Sequence, residues 1–180
     1  MKYRITSETK VVNNITLHRI ECVTAFSDVI CGEKGGWIES EKNLSQDGNA
    51  WVGGNARISG NAEVGGDAKV CGDAEVGENA TVYGNAKVGG NAWVYEDATV
   101  SGNADYIVFK NWWSSGRYFT WTRSNDKWKV GCFFGSGEEL IAKAYKDSEK
   151  SGREYERVVK YVNDILKEDN DNGNRNKREG

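Results

Sequence analysis

Four tryptophans, Trp112, Trp113, Trp121 and Trp128, fall within 17 residues, interleaved with Lys110, Arg117, Arg123, Lys127 and Lys129. An indole offers a flat apolar face on which a ring can stack, and a guanidinium pairs with phosphate through two parallel hydrogen bonds. These residue types suggest binding of a small anion that carries a flat ring. Trp112 or Trp113 would lie under the ring, and Arg117 or Arg123 would hold the charge. Alternation along Tyr118–Arg123 puts Tyr118, Thr120 and Thr122 on one face of a strand and Phe119, Trp121 and Arg123 on the other. One face must pack, so part of this aromatic set is core. Asn111–Gly116 reads as a loop, where packing explains exposed rings less readily.

Other chemistry is sparse. A general base for acyl transfer is usually histidine, and the single histidine, His18, stands in an N-terminal strand region, where a structural role is expected. The glycines follow a six-residue grid with no Gly-Lys-Ser/Thr behind them, so no phosphate-cradling loop is expected. Ser136-Gly137-Glu138-Glu139 is a capping box that offers backbone donors at a helix start, but its two glutamates would repel an anion. Cys22, Cys31, Cys71 and Cys132 lack the paired spacing of a zinc site and read as reduced thiols.

The element that must position these groups is a repeat. Nine hexapeptides follow one another from Val52 to Asp105: VGGNAR, ISGNAE, VGGDAK, VCGDAE, VGENAT, VYGNAK, VGGNAW, VYEDAT and VSGNAD. Position one is Val or Ile, position four Asn or Asp, and position five always Ala. So strict a period specifies a solenoid. A strand of two or three residues ending in a Gly-Asn or Gly-Asp corner can pair only with the coil above and the coil below. Asn and Asp tolerate the left-handed corner, and Gly beside them removes the steric cost. Three hexads close a triangular turn, so successive coils stack about 4.8 Å apart. The predicted interior ladders are Val52/Val70/Val88, Ile58/Val76/Val94 and Val64/Val82/Val100. Outward, the first face shows Trp51, Lys69 and Lys87, the second Arg57, Glu75 and Trp93, and the third Glu63, Thr81 and Thr99. Trp51, Lys69, Lys87, Arg57 and Trp93 join Trp112, Trp113, Arg117, Tyr118 and Arg123 as candidate ligand-binding residues.

This pattern closely resembles that of the hexapeptide-repeat acyltransferase superfamily, over residues 46–105 and loosely back to Trp37. The resemblance implies a left-handed parallel β-helix, a homotrimer, and acyl-CoA in the cleft between neighbouring prisms. The Gly-Gly-Trp-Ile-Glu lead-in and the Val-Gly-Cys-Phe segment also resemble those of bacterial and prophage hexapeptide-repeat proteins. Catalytic members carry a histidine and an inserted loop within the coils, and this ladder has neither.

The flanks read as caps. Residues 1–46 form an N-terminal β cap and lead-in coil, with strands around Tyr3–Ile5 and Ile15–Ile20 and a turn at Asn13-Asn14. The spacing from Ile38 to Leu44 is six but two residues out of phase with Val52, which predicts a register break near Asp47-Gly48. Residues 47–105 are the β-helix. Residues 106–167 form an α+β cap, with strands at Tyr106–Phe109, Tyr118–Thr122 and Trp128–Phe134 and helices through about Lys146 and over Gly152–Lys167. Residues 168–180 are expected to be disordered.

Net charge is −3, with −5 over residues 51–105 and +4 over residues 106–167. That balance suits a small anion and excludes a nucleic-acid polymer as partner. No apolar run reaches membrane-spanning length and no secretory leader is expected, which points to a cytoplasmic protein. The fold class is therefore mainly β: a left-handed parallel β-helix with an N-terminal β cap and a C-terminal α+β cap. The expected function is a non-catalytic homotrimer without cofactor that sequesters a nucleotide-like anion between protomers, with the prophage-like layout suggesting a phage protein that counters host signalling. The alternatives are a CoA-dependent acyltransferase, with acetyl-CoA as cofactor, and a purely structural oligomer.

Overall fold

A hexad buries only its Val and Ala, and both need a neighbouring coil to cover them. A computed structural model describing residues 1–176 shows that solution. After β1 (Tyr3–Val12), β2 (Ile15–Cys22) and β3 (Lys34–Ile38) come nine two-residue strands, β4 to β12: Trp51–Val52, Arg57–Ile58, Glu63–Val64, Lys69–Val70, Glu75–Val76, Thr81–Val82, Lys87–Val88, Trp93–Val94 and Thr99–Val100. They pair in parallel as three ladders, β4-β7-β10, β5-β8-β11 and β6-β9-β12, in the predicted registers. The interior Val and Ile are at most 1% exposed, and the position-five alanines are fully buried except Ala104 of the last hexad, which is exposed. The result is a mainly-β solenoid of about four turns, consistent with the expected left-handed β-helix.

The N–H groups that join the coils point towards the following coil, while alanine amides such as Ala56 N and Ala62 N close the corners within their own coil. Trp51 N donates to Ala68 O at 2.9 Å, Gly53 N to Val70 O at 2.8 Å and Asn55 N to Gly72 O at 2.9 Å. The stack therefore begins with a rim of bare carbonyls and ends with a rim of bare N–H groups, as a helix does. Donors close the first rim. Lys2 Nζ donates to Ala50 O at 2.8 Å, and to Asp47 O and Gly48 O at 3.4 Å each. Tyr3 OH donates to Leu44 O at 2.6 Å.

Acceptors close the second rim. Thr120 Oγ1 accepts from Trp93 N (2.9 Å), Ser124 Oγ from Thr99 N (2.7 Å) and Tyr106 OH from Gly89 N (3.3 Å). Asp105 Oδ2 accepts from Ser101 N and Gly102 N at 2.8 Å each and from Ser101 Oγ at 2.9 Å. Burial alone would raise the Asp105 carboxyl, but those donors, with Arg123 nearby, hold it below its ordinary 3.8. Its stabilisation is thus present above that value and lost as pH falls through the lower folded one. Asp105→Ala is expected to cost about 2 kcal/mol at neutral pH by urea denaturation, with the difference from wild type shrinking in acid.

The N-terminal hairpin turns at Asn13-Asn14, whose φ of 50° and 64° fit a type I′ turn. Strand β2 pairs antiparallel with β3, and β3 pairs parallel with β5, so the hairpin extends one wall of the prism. Ile38 pairs with Ile58 and Leu44 bridges to Val64, two residues longer than the later coils require. Ser45 N reaches Val64 O while Asn49 N reaches Gly66 O, so the extra pair is absorbed between them, where the break was expected. Gln46 pins that segment: its side-chain oxygen accepts from Lys2 N at 2.8 Å, and its amide donates to Tyr3 O at 3.0 Å.

Four antiparallel strands follow: β13 (Tyr106–Lys110), β14 (Tyr118–Thr122), β15 (Lys127–Val130) and β16 (Phe133–Gly135). The single strand expected over Trp128–Phe134 is broken by a turn at Gly131, whose φ of 58° a pleated strand cannot hold. Two compact units result: Met1–Lys110 with Arg117–Phe134, and Asn111–Gly116 with the chain from Gly135. The second unit contains α1 (Gly137–Asp147), opened by the Ser136/Glu139 capping box, and α2 (Glu149–Asn176). Helix α2 runs past the expected end at Lys167, because propagation needs only one further hydrogen bond per residue once a helix is nucleated. The tail expected to be disordered from Glu168 is helical to Asn176, and residues 177–180 lie outside the described residues. Among the described residues no helix is long and apolar enough to cross a membrane.

Candidate functional site

The orphan N–H groups of the last coil bring the cap sheet over the second prism face. Thr120, which accepts from Trp93 N, draws β14 across β11 and carries Arg117 and Tyr118 with it. A pocket of about 350 Å³ opens there, lined by Asn91, Trp93, Arg117 and Tyr118. Three of its four side chains are candidates from the sequence. Trp93 is half-buried, Tyr118 is 38% exposed, and Lys110 Nζ lies 5.5 Å over the Tyr118 ring. Arg117 is exposed and passes over Gly131, where an added Cβ would stand 3.6 Å from its Nη1. The combination offers two aromatic faces, a guanidinium and a carboxamide, which suits a planar group bearing negative charge. Asn91 was not foreseen: its position-four place explains it as a corner residue, and no further signal marks it.

The other candidates separate. Trp51, expected outward on the first face, is 6% exposed, because Phe26 from the loop before β3 packs edge-on against it at 5.7 Å. Lys69, one coil on, is paired with Asp28 of that loop, and Lys87 is exposed. Arg57 is paired with Glu75 in the outward ladder Trp37–Arg57–Glu75–Trp93. Arg123 donates from Nε to Ala104 O at 3.2 Å and sits 5.9 Å from the Trp121 ring, so it helps fasten the cap. Trp121 and Trp128 are core of the cap sheet.

In the second unit, Trp112 is 71% exposed, whereas Trp113 is buried with its ring edge-on to Tyr155 at 5.0 Å. The loop reading holds for Trp112; Trp113 is held by the helical packing its neighbours supply. Asn111 Nδ2 donates to Tyr155 OH at 3.0 Å and anchors the same segment. His18 lies in β2, opposite Ile38 in register, and lines neither this pocket nor the recess beside Arg57.

No protein-family model matches the chain. Over 59 aligned positions, 28% of this chain, the sequence is 37% identical to an uncharacterised acetyltransferase, YdcK, of Escherichia coli strain K12. The match takes in 18% of that relative, so the chain spans less than a fifth of its length.

Proposed function

We propose that a chain whose coils and sequence match are those of a hexapeptide-repeat acyltransferase-like protein binds a small, nucleotide-like anion in the Trp93/Arg117/Tyr118 pocket. The supporting observation is the convergence of two aromatic rings, a guanidinium and the Asn91 carboxamide on one recess. Arg117 pairs with phosphate, Trp93 and Tyr118 hold the ring, and Asn91 bonds to its edge. The protein is a homotrimer in this reading, packed through prism faces whose outward residues include Gly53, Gly65 and Gly89. Its finer form is sequestration of a signalling nucleotide without turnover.

Calorimetry with a purine mononucleotide and with acetyl-CoA tests the reading. Arg117→Ala and Trp93→Ala are each expected to weaken binding by about 10–100-fold, the loss of one charge-assisted bond or one stacked ring. Affinity in both variants equal to that of the unsubstituted protein would refute the pocket. Sedimentation equilibrium at three times the 20.0 kDa chain mass is the expected assembly, and a monomer would remove the trimer.

The match to an acetyltransferase-named relative favours a second reading, CoA-dependent acyl transfer at the same pocket. CoA also presents a purine and phosphates, so binding alone does not separate the two. Release of free CoA thiol from acetyl-CoA in the presence of an amine acceptor does: turnover supports transfer, and recovery of intact acetyl-CoA supports sequestration.

A further inference from the structure

Position three of the hexads is glycine in seven repeats and glutamate in two, Glu78 and Glu96. Both glutamates hold left-handed backbone, with φ of 59° and 57°, which costs an ordinary L-residue about 1–2 kcal/mol where glycine pays nothing. They are one coil apart, so two strained carboxylates stack in one corner ladder; burial, and then the Glu78 carboxylate beside it, raise the proton affinity of Glu96. Strain placed twice in one ladder of a regular solenoid marks a place where another requirement overrides folding.

That corner borders a cavity of about 190 Å³ on the outward face of the β5-β8-β11 wall. Its apolar side is the hairpin tip, with Val12, Ile15 and Leu17; its polar side has Glu78 at the mouth, with Tyr95 and the paired Arg57 and Glu75 also in the lining. Tyr95 is also a departure from the small residues common at position two, and it lies flat across Gly77, where any Cβ would stand 2.6 Å from its ring. Lying flat, it donates from its hydroxyl to Glu75 Oε2 at 2.9 Å, and Glu75 is already paired with Arg57. Burial and the Glu75 carboxylate beside it push the Tyr95 hydroxyl well above its ordinary value, so it stays a donor. Lys129 holds its ammonium 4.6 Å from the Tyr95 ring and offsets Glu96. Arg57 thereby meets the charge of Glu75, whereas Glu78 and Glu96 share a side-chain hydrogen bond that Lys129 only partly offsets, and among the described residues no cation forms an ion pair with Glu78.

We propose that this cavity binds a small organic monocation, an alkylammonium with its charged head on Glu78 and its short apolar chain against Val12, Ile15 and Leu17. The Lys129 ammonium over Tyr95 is the protein's own instance of the same chemistry on the same ring. The site is separate from the Trp93/Arg117/Tyr118 pocket and independent of the reading given to it.

The experiment titrates the full chain with n-butylammonium, 1-butanol and butyrate, three probes of one chain length and different charge, followed by NMR at the Val12, Ile15 and Leu17 methyls. Butylammonium is expected to shift these methyls, with butanol and butyrate at least about tenfold weaker, as for the loss of a charge-assisted bond. Glu78→Gly is expected to abolish the effect while raising Tm by roughly 2–4 °C, because it removes left-handed strain. Glu78→Asn, which tolerates that backbone, is expected to lose binding too, and Gly77→Ala to weaken it by lifting the Tyr95 ring. Equal binding of butanol, preference for butyrate, silence with all three probes, or undiminished binding in Glu78→Gly each overturns the proposal.

Discussion

Lys2→Met is expected to lower the unfolding free energy by about 3 kcal/mol, read as a drop in Tm of roughly 10 °C. Methionine keeps most of the stem and removes only the ammonium. The charge itself is not what stabilises. Burial lowers the Lys2 pKa more than Asp47 and Asp67 raise it, so holding the ion in the fold is a net electrostatic cost. The gain comes from its three donors, which meet the carbonyl rim where no further coil can. Of these, the 2.8 Å bond to Ala50 O is the strong one, and an orphaned buried carbonyl costs about 1–3 kcal/mol. Two longer bonds and the cation over the Phe26 ring at 5.0 Å add a smaller share. The methionine variant recovers part of the desolvation cost, which is why the expected loss stays near 3 rather than 5 kcal/mol. Linkage gives a second check. With the folded pKa below 10.5, the unfolded state binds more protons in the window up to 10.5, so wild type gains on Lys2→Met as pH rises through that window. A Tm within a degree or two of wild type would show that water caps the rim as well as Lys2 does.

The coils were legible because a six-residue period carries its own register. Val52, Val70 and Val88 had to stack, and the two-residue phase slip between Leu44 and Val52 located the break from spacing alone. The caps were not legible, because their logic is non-local. Nothing near Lys2 says that it will meet Ala50, and nothing near Thr120 says that it will accept from Trp93. Both follow only from the direction of the solenoid's hydrogen bonds, which leaves opposite rims wanting opposite partners. The same limit applies to the candidate site. Trp93, Arg117 and Tyr118 stood out by type, but their meeting depends on where the cap sheet lands. Trp51 stood out equally and was covered by Phe26 from a loop with no periodic signal. Glu78 and Glu96 were visible as breaks in the glycine column, a signal that only the cavity beside them makes chemical.

Gly36→Ala is expected to cost on the order of 3 kcal/mol, although it adds one methyl group to a strand. Strand β3 pairs in parallel with the regular coil strand β5, and Gly35-Gly36 let its backbone lie against the first coil. A Cβ at Gly36 would stand 2.6 Å from Val52 Cγ1 and 2.7 Å from Ala56 O; one at Gly35 would meet Ile20, Trp51 and Val52 at 2.5–2.6 Å. The oxygen cannot yield cheaply. Ala56 O accepts from Trp37 N at 2.9 Å, so moving it breaks the ladder that joins hairpin to solenoid. Nor can Val52 rotate away, because it is fully buried between coils. The backbone of β3 must therefore lift, and the amides of Trp37 and Glu39, which bond Ala56 O and Ile58 O, lose their partners together. Gly53→Ala is the matched control. Its Cβ would meet nothing closer than 3.6 Å, so it is expected to be neutral or stabilising by up to about 0.5–1 kcal/mol through the unfolded chain. Hydrogen exchange reads the difference directly: Gly36→Ala should strip protection from the Trp37 and Glu39 amides while the Thr81 and Lys87 coils keep theirs. Equal stability and equal protection in the two variants would mean that β3 has room to spare and that the glycine pair is not what seats the N-terminal cap on the solenoid.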